Sequence, residues 1–318
     1  MWEVPNSTIS GAETNAALHW EEKARRIGER ITGSVLPAAP EPHHPNEGET
    51  ALTGYWFRAR GQRPKAVLVC LHGIQTHAAW FAGLAEELTP RGYTLLCPNR
   101  RGSGGSTNVR RDVNDIGHWE TWVNDLDVVM ALARKEKVPV VLVGTSWGAK
   151  PALAWLGRHP DGADAAVLLV PAIYTQKEGW RNRLAVGICG RLPLLAGLAL
   201  QPVKPRDYLP KNRPSDPDLE KAIQTDPKMN HRATFRMLFE AGKMNGRAIA
   251  AAPEVSKRTH VLIACEDRIV DNPRVEALFP RSVHFLPREG HAVQIENPRA
   301  IAHEIDTWLG KQLRGRAP

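Results

Sequence analysis

The amino-acid sequence predicts an α/β fold: a mostly parallel central sheet flanked by helices, with a helical block inserted late in the chain. Three observations predict it. Strand-length apolar runs alternate with amphipathic helical stretches up to residue 171. The alternation stops between 172 and 256, where Pro-rich interruptions separate helix-compatible segments. It then resumes to the end. Continuous apolar strands must be covered on both faces, and strands alternating with helices achieve this as a parallel sheet between helical layers.

The elements follow in order. Residues 1–50 read as an N-terminal extension, with a short amphipathic helix in "NAALHWEEKARRIGERI" and a Pro-rich linker in "LPAAPEPHHPNEGET". The core is expected over 51–171 and 257–318. "TGYWFRA" and "KAVLVCLH" have strand length, and "AAWFAGLAEELTPRG" has helical spacing with a Pro-Arg-Gly stop. "YTLLCP", "VPVVLVG" and "AAVLLVP" are further strands, separated by the helices "GHWETWVNDLDVVMALARKEK" and "SWGAKPALAWLGRHP". The helical cap insertion is expected over 172–256. "THVLIAC" and "SVHFLPR" complete the sheet, and "NPRAIAHEIDTWLGKQL" forms the last helix.

Composition bounds the function. The chain has 318 residues, 42% hydrophobic and 24% charged, ordinary values for a globular domain. The first residues carry neither a basic start nor an apolar run, and no uninterrupted apolar stretch reaches about 18 residues. A cytoplasmic location without a spanning helix is the expectation. Four cysteines, Cys70, Cys97, Cys189 and Cys265, lack CxxC spacing and read as reduced core residues. No metal and no cofactor are implied. The formal charge is +8, but the basic residues are scattered, so no nucleic-acid partner is expected. The surplus leaves contact with a membrane surface open, as does the apolar stretch Leu184–Leu200, read first as an apolar lid. Oligomeric state is not legible.

The chemistry sits at Gly144-Thr145-Ser146-Trp147-Gly148. This G-x-S-x-G pattern follows a buried strand and opens a helix, the context that lifts a serine Oγ above the sheet. A serine needs a base, and the base an orienting acid. These should follow in the order acid then histidine, on loops at the carboxyl ends of later strands. Asp267 follows "THVLIAC" and His291 follows "SVHFLPR". Glu266 is the nearest rival acid, with Asp271 slightly too far along. His284 lies within a strand and His303 on the last helix. Backbone N–H groups of Trp147 and Ile74 are the candidates for an oxyanion site. His77 and Trp80 are candidate pocket residues. Asp125 and Asp127 read as a solvated or helix-supporting pair.

The stretches "LHGIQTHAAWF", "NRRGSGGS", "GTSWGAK", "ACEDRIVDNP" and "EGHAVQIENP" resemble the α/β-hydrolase superfamily over about residues 52–312. The branch most similar is that of lysophospholipase/monoacylglycerol lipase-like serine hydrolases. "RGSG" matches a D-x-R-G-x-G-like loop of that branch, with Asn99 where aspartate is usual. The resemblance implies a serine esterase acting on a small-molecule or lipid-like ester. The rival readings are a thioesterase, acyltransferase or C–C bond hydrolase, and a non-catalytic receptor. The Ser-Trp-Gly triplet is also similar to that of proline iminopeptidases, which need acidic groups to hold a free amino terminus.

Overall fold

Eight strands form one sheet in this computed structural model, which describes residues 19–32, 36, 38–39, 51–61, 63–106, 114–176, 180–212 and 216–314. The strands described are β1 (Glu29–Ile31), β2 (Gly54–Phe57), β3 (Ala66–Leu71), β4 (Tyr93–Pro98), β5 (Val140–Thr145), β6 (Ala165–Leu169), β7 (Ala199–Leu200), β8 (Ala233–Thr234), β9 (Thr259–Ala264) and β10 (Val283–Leu286). The sheet runs β1-β2-β4-β3-β5-β6-β9-β10, and β7 pairs with β8 apart from it. From β4 to β10 every neighbour is parallel, while β1 and β2 pair antiparallel at one edge. The strands β3 and β5 are buried at every residue, which explains their unbroken apolar runs.

The helices are α1 (His19–Ile27), α2 (Ala82–Leu88), α3 (Glu120–Arg134), α4 (Ala149–Arg158), α5 (Trp180–Cys189), α6 (Pro193–Ala196), α7 (Pro217–Thr225), α8 (Phe235–Val255), α9 (Asn272–Leu278), α10 (Val293–Glu296) and α11 (Pro298–Gln312). One layer packs α1, α2 and α11 together, and the other packs α3, α4 and α8. On α3 the buried Trp122, Leu126, Val129 and Ala133 recur at helical spacing, so one face meets the sheet. Helix α8 approaches α4 closely: a Cβ on Gly157 would lie 2.9 Å from Ala251 Cβ. The last helix of the inserted block thus doubles as part of the core's flank.

Several expectations change. The extension contributes a strand as well as a helix, because Ile31 buries itself at the sheet edge while Glu29 and Arg30 face out. The Pro-rich stretch 36–50 lies largely outside the described residues. The inserted block holds the two-residue strands β7 and β8, too short to leave a periodic signal. Cys70 and Cys97 are buried, but Cys265 is exposed, since β9 ends one residue before it; Cys189 on α5 is partly exposed. Asp125 is not solvated: it is buried and accepts two bonds at 2.7 Å from Arg101 and one at 2.9 Å from the Ala39 N–H. Asp127 accepts from Trp155 Nε1 at 2.8 Å. Among the described residues no helix is long and apolar enough to cross a membrane.

Candidate active site

Strand β5 stops at Thr145, and Ser146 takes a left-handed backbone with φ of 55°. Such a conformation costs a non-glycine residue roughly 1–3 kcal/mol and persists only when its surroundings impose it. The two motif glycines impose it. A Cβ on Gly144 would lie 2.7 Å from Ala149 Cα, and one on Gly148 would lie 2.2 Å from Leu71 O. Only glycine lets strand β5, helix α4 and the end of β3 pass at this distance.

The turn aims Ser146 Oγ at His291 Nε2, 2.7 Å away. His291 sits between β10 and α10, and its Nδ1 meets Asp267 Oδ2 at 2.7 Å. The other carboxylate oxygen of Asp267 accepts from the N–H groups of Ile269 at 2.6 Å and Val270 at 3.1 Å. A carboxylate accepts only, so Nδ1 carries the proton and Nε2 faces the serine as acceptor. Ser146, His291 and Asp267 are all buried. The three predicted residues are therefore brought together in one line of hydrogen bonds.

Their rivals stand elsewhere. Glu266 accepts from the Asn212 N–H at 2.8 Å, and Asp271 caps α9. His284 lies 3.5 Å from Glu304, and His303 is exposed on α11.

The His291 loop is fixed from the inserted block. Tyr208 O accepts from both the His291 and Ala292 N–H groups at 3.0 Å. Tyr208 Oη in turn donates to Gln75 Oε1 at 3.0 Å, in the loop after β3. Neither tyrosine nor glutamine was legible as a site residue, because Tyr208 lies in a Pro-rich stretch with no motif. His72 closes the same loop. Its Nδ1 donates to Gly73 O at 2.9 Å and its Nε2 accepts from the Arg100 N–H at 3.0 Å. Burial and the nearby Arg100 charge hold its pKa well below the ordinary value, so it stays neutral.

Ile74, Ser146 and Trp147 share the wall of a cavity of about 1100 Å³. Its far wall comes from the inserted block, including Val186, Leu200, Leu238 and Phe239. Among the described residues, Lys150, Lys243, Arg268 and Arg274 line it with the carboxylate Asp207, and Lys243 is paired with Glu240 at 2.6 Å. The apolar stretch Leu184–Leu200 splits by face: Ala185, Val186 and Leu200 line the cavity, whereas Leu184, Ile188, Leu192, Leu194 and Leu198 are exposed. The Trp147 indole meets Trp122 edge-on, with centroids 4.8 Å apart.

His77 and Trp80 do not line this cavity. Both are 1% exposed and donate to Asp226 Oδ2, His77 Nε2 at 2.9 Å and Trp80 Nε1 at 2.8 Å. The 3-10 turn at Ala78–Phe81 carries them toward α1 instead, where Trp20 Nε1 adds a third bond of 2.8 Å to the same oxygen. Their place as substrate contacts is corrected to a buried cluster joining α1, the core and the inserted block.

With this geometry in hand, known proteins give the context. The profile of the family described as "Serine aminopeptidase, S33" matches residues 62–285. The chain is 23% identical over 267 residues to a monoglyceride lipase homolog of Monkeypox virus, covering 79% of this chain and 91% of the relative. It is 26% identical over 269 residues to a monoacylglycerol lipase of Mycolicibacterium smegmatis, covering 79% and 90%. The crystal structure of Paleococcus ferrophilus monoacylglycerol lipase superposes with a TM-score of 0.67 at 20% identity, covering 81% of this chain and 99% of that one. That last likeness shows the shared α/β-hydrolase fold.

Proposed function

Because the chain belongs to the serine aminopeptidase S33 family and is a serine ester hydrolase of α/β-hydrolase fold, we propose that it cleaves carboxylic esters of monoacyl lipids through Ser146, His291 and Asp267. One observation carries this reading: the 2.7 Å and 2.7 Å contacts that link the three residues end at a serine open to a large, mostly apolar cavity. The monoacylglycerol lipases among its relatives support a monoacyl lipid as substrate.

Ser146 Oγ attacks the acyl carbon while its proton passes to His291 Nε2. The carbonyl electron pair moves onto oxygen, and the N–H groups of Ile74 and Trp147 stabilise the resulting oxyanion. Collapse breaks the bond to the alcohol, which leaves with the proton from His291, and an acyl-Ser146 ester remains. Water then attacks this ester as His291 takes one of its protons. The second tetrahedral species expels Ser146 Oγ, which recovers the proton, and the free acid departs. Asp267 keeps the imidazole in the productive tautomer and stabilises its charged form. A fluorophosphonate probe is expected to label the wild type and not Ser146→Ala; equal labelling of both would overturn the assignment. A series of monoacylglycerols of graded length then defines the acyl preference.

The family description invites a second reading, aminopeptidase action. A free amino terminus is a cation, and among the described residues the cavity is lined by Lys150, Arg268 and Arg274, besides a Lys243 paired with Glu240, against the carboxylate of Asp207. That balance repels an ammonium group and suits neutral or anionic esters. Amino-acid p-nitroanilides should therefore turn over far more slowly than p-nitrophenyl esters; the reverse order would favour the peptidase.

A further inference from the structure

Arg100, in the loop after β4, touches both halves of the paired N–H site. Gly73 O accepts from Arg100 Nη1 at 3.0 Å as well as from His72. Ile74 O accepts from Arg100 Nη2 and, at 2.8 Å, from Asn114 Nδ2. Arg100 Nη2 also donates to Asn114 Oδ1 at 2.7 Å. On its other side the guanidinium carbon lies 4.7 Å from the Trp147 ring centre.

The peptide geometry gives these contacts a direction. In a trans peptide the C=O and the following N–H point opposite ways. Pinning Gly73 O therefore turns the Ile74 N–H away from Arg100. The serine lies close to this peptide: a Cβ on Gly73 would come within 3.5 Å of Ser146 Cβ. The planar guanidinium fork suits this task, because it meets several acceptors at fixed angles.

Charge adds a second effect. The acceptors around Arg100 are neutral: two carbonyls and an amide oxygen. Among the described residues no carboxylate pairs with it. Part of the side chain stays accessible, yet burial of the guanidinium brings its pKa down to about 9, which leaves it charged at neutral pH. Resting on the reading of Ser146 as nucleophile, we propose that Arg100 is the positioning residue of the oxyanion site: it aims the Ile74 N–H, braces Trp147, and supplies a fixed cation, paired with no carboxylate among the described residues, that attracts the substrate's oxyanion. A preorganised positive group near developing negative charge favours the transition state over the ground state.

The test compares wild type, Arg100→Ala and Arg100→Lys on p-nitrophenyl butyrate, with active sites counted by fluorophosphonate titration of a separate aliquot of each. Arg100→Ala is expected to lose about 100-fold in kcat, the scale of one oxyanion donor, with KM within about twofold. A boronic acid that mimics the tetrahedral species should weaken in proportion, while butyramide, a neutral ground-state analogue, should bind nearly unchanged. Added guanidinium ion should restore part of the kcat of Arg100→Ala. Arg100→Lys keeps the charge but loses the fork, and should fall about 10-fold. Unchanged kcat and boronate affinity in Arg100→Ala, or a raised KM at constant kcat, would overturn the proposal. Should Arg100→Ala not fold, Arg100→Lys decides alone: wild-type kcat and boronate affinity overturn it, and proportional losses uphold it. If Ser146 in the wild type does not titrate, the nucleophile assignment fails instead.

Discussion

Two buried aspartates in this protein each hold an imidazole, and the two pairs serve opposite ends. Asp267 holds His291 at 2.7 Å, and Asp226 holds His77 at 2.9 Å. Both histidines are buried, and both bonds lie within a cluster fixed by chain segments far apart in sequence. The difference lies at the second ring nitrogen. His291 Nε2 faces a hydroxyl on a strained turn at the edge of a cavity. His77 Nδ1 faces Glu21, 3.8 Å away, and the Asp226 oxygen that binds it already accepts from two indoles. On the function proposed, a histidine–carboxylate pair is a proton relay only where its far nitrogen meets a reactive group that substrate can reach. Where both ends are enclosed, the same pair is a clasp.

Substitutions separate the two roles. Asp267→Asn should lower kcat by about 10³–10⁴-fold, because the amide favours the wrong imidazole tautomer, and should leave the thermal midpoint near that of the wild type. Steady-state kinetics with a parallel melting curve checks this; comparable losses in both pairs would erase the distinction. Asp226→Asn should do the reverse. Its carboxylate is charged and takes four donors, from His77, Trp80, Trp20 and the Lys228 N–H, so the change should cost about 2–3 kcal/mol of stability, read from urea unfolding, with kcat within a few-fold.

The third prediction concerns pH. Burial raises the pKa of Asp226, but its bond to and charge on His77, with the Trp80 and Lys228 N–H bonds, outweigh this and leave it below its ordinary value. Glu21 behaves alike: burial raises it, and Lys228 and Tyr55 more than reverse the rise. A depressed folded pKa contributes stability that is fully present above the unfolded value and lost as pH falls through the folded one. The clasp should therefore hold above about pH 4.5 and weaken below it. Urea midpoints followed from pH 6 to 3 should fall less steeply in Asp226→Asn than in the wild type; parallel curves would show that Asp226 is not a source of the acid sensitivity. The smallest effect is expected of His77→Gln, whose amide N–H can still reach Asp226. A loss of about 0.5–1 kcal/mol without change in kcat would confine His77 to the clasp, whereas a lowered kcat would return it to the site.

The misplacing of His77 and Trp80 shows what sequence conveys and what it does not. Ser146, Asp267 and His291 were legible because each follows the carboxyl end of a parallel strand, and the sheet brings such positions together; β5 and β9 are largely buried, whereas β10 at the sheet edge is only partly so. His77 and Trp80 follow the loop after β3 within a few residues, so proximity in sequence suggested the pocket. Their actual partner lies 149 and 146 residues away in the inserted block, and no local pattern announces it. Arg100 was hidden for a related reason: it reads as one of several loop arginines until Gly73 and Ile74 are seen to accept from it. Strand β1 escaped notice because a three-residue edge strand with one buried side chain has no periodicity to detect.

The insertion has a further consequence, for synthesis. Strand β6 ends at Leu169, and its neighbour β9 begins at Thr259, so the chain must grow by the intervening segment before the sheet can extend. At about 5–20 residues per second, the ribosome takes roughly 5–20 s over it. During that interval one side of β6 has no partner strand, and the indoles of Trp20 and Trp80 wait for Asp226. The nascent domain therefore passes through a half-built sheet with an unpaired apolar border, a species that a chaperone would recognise and that crowding would tend to aggregate.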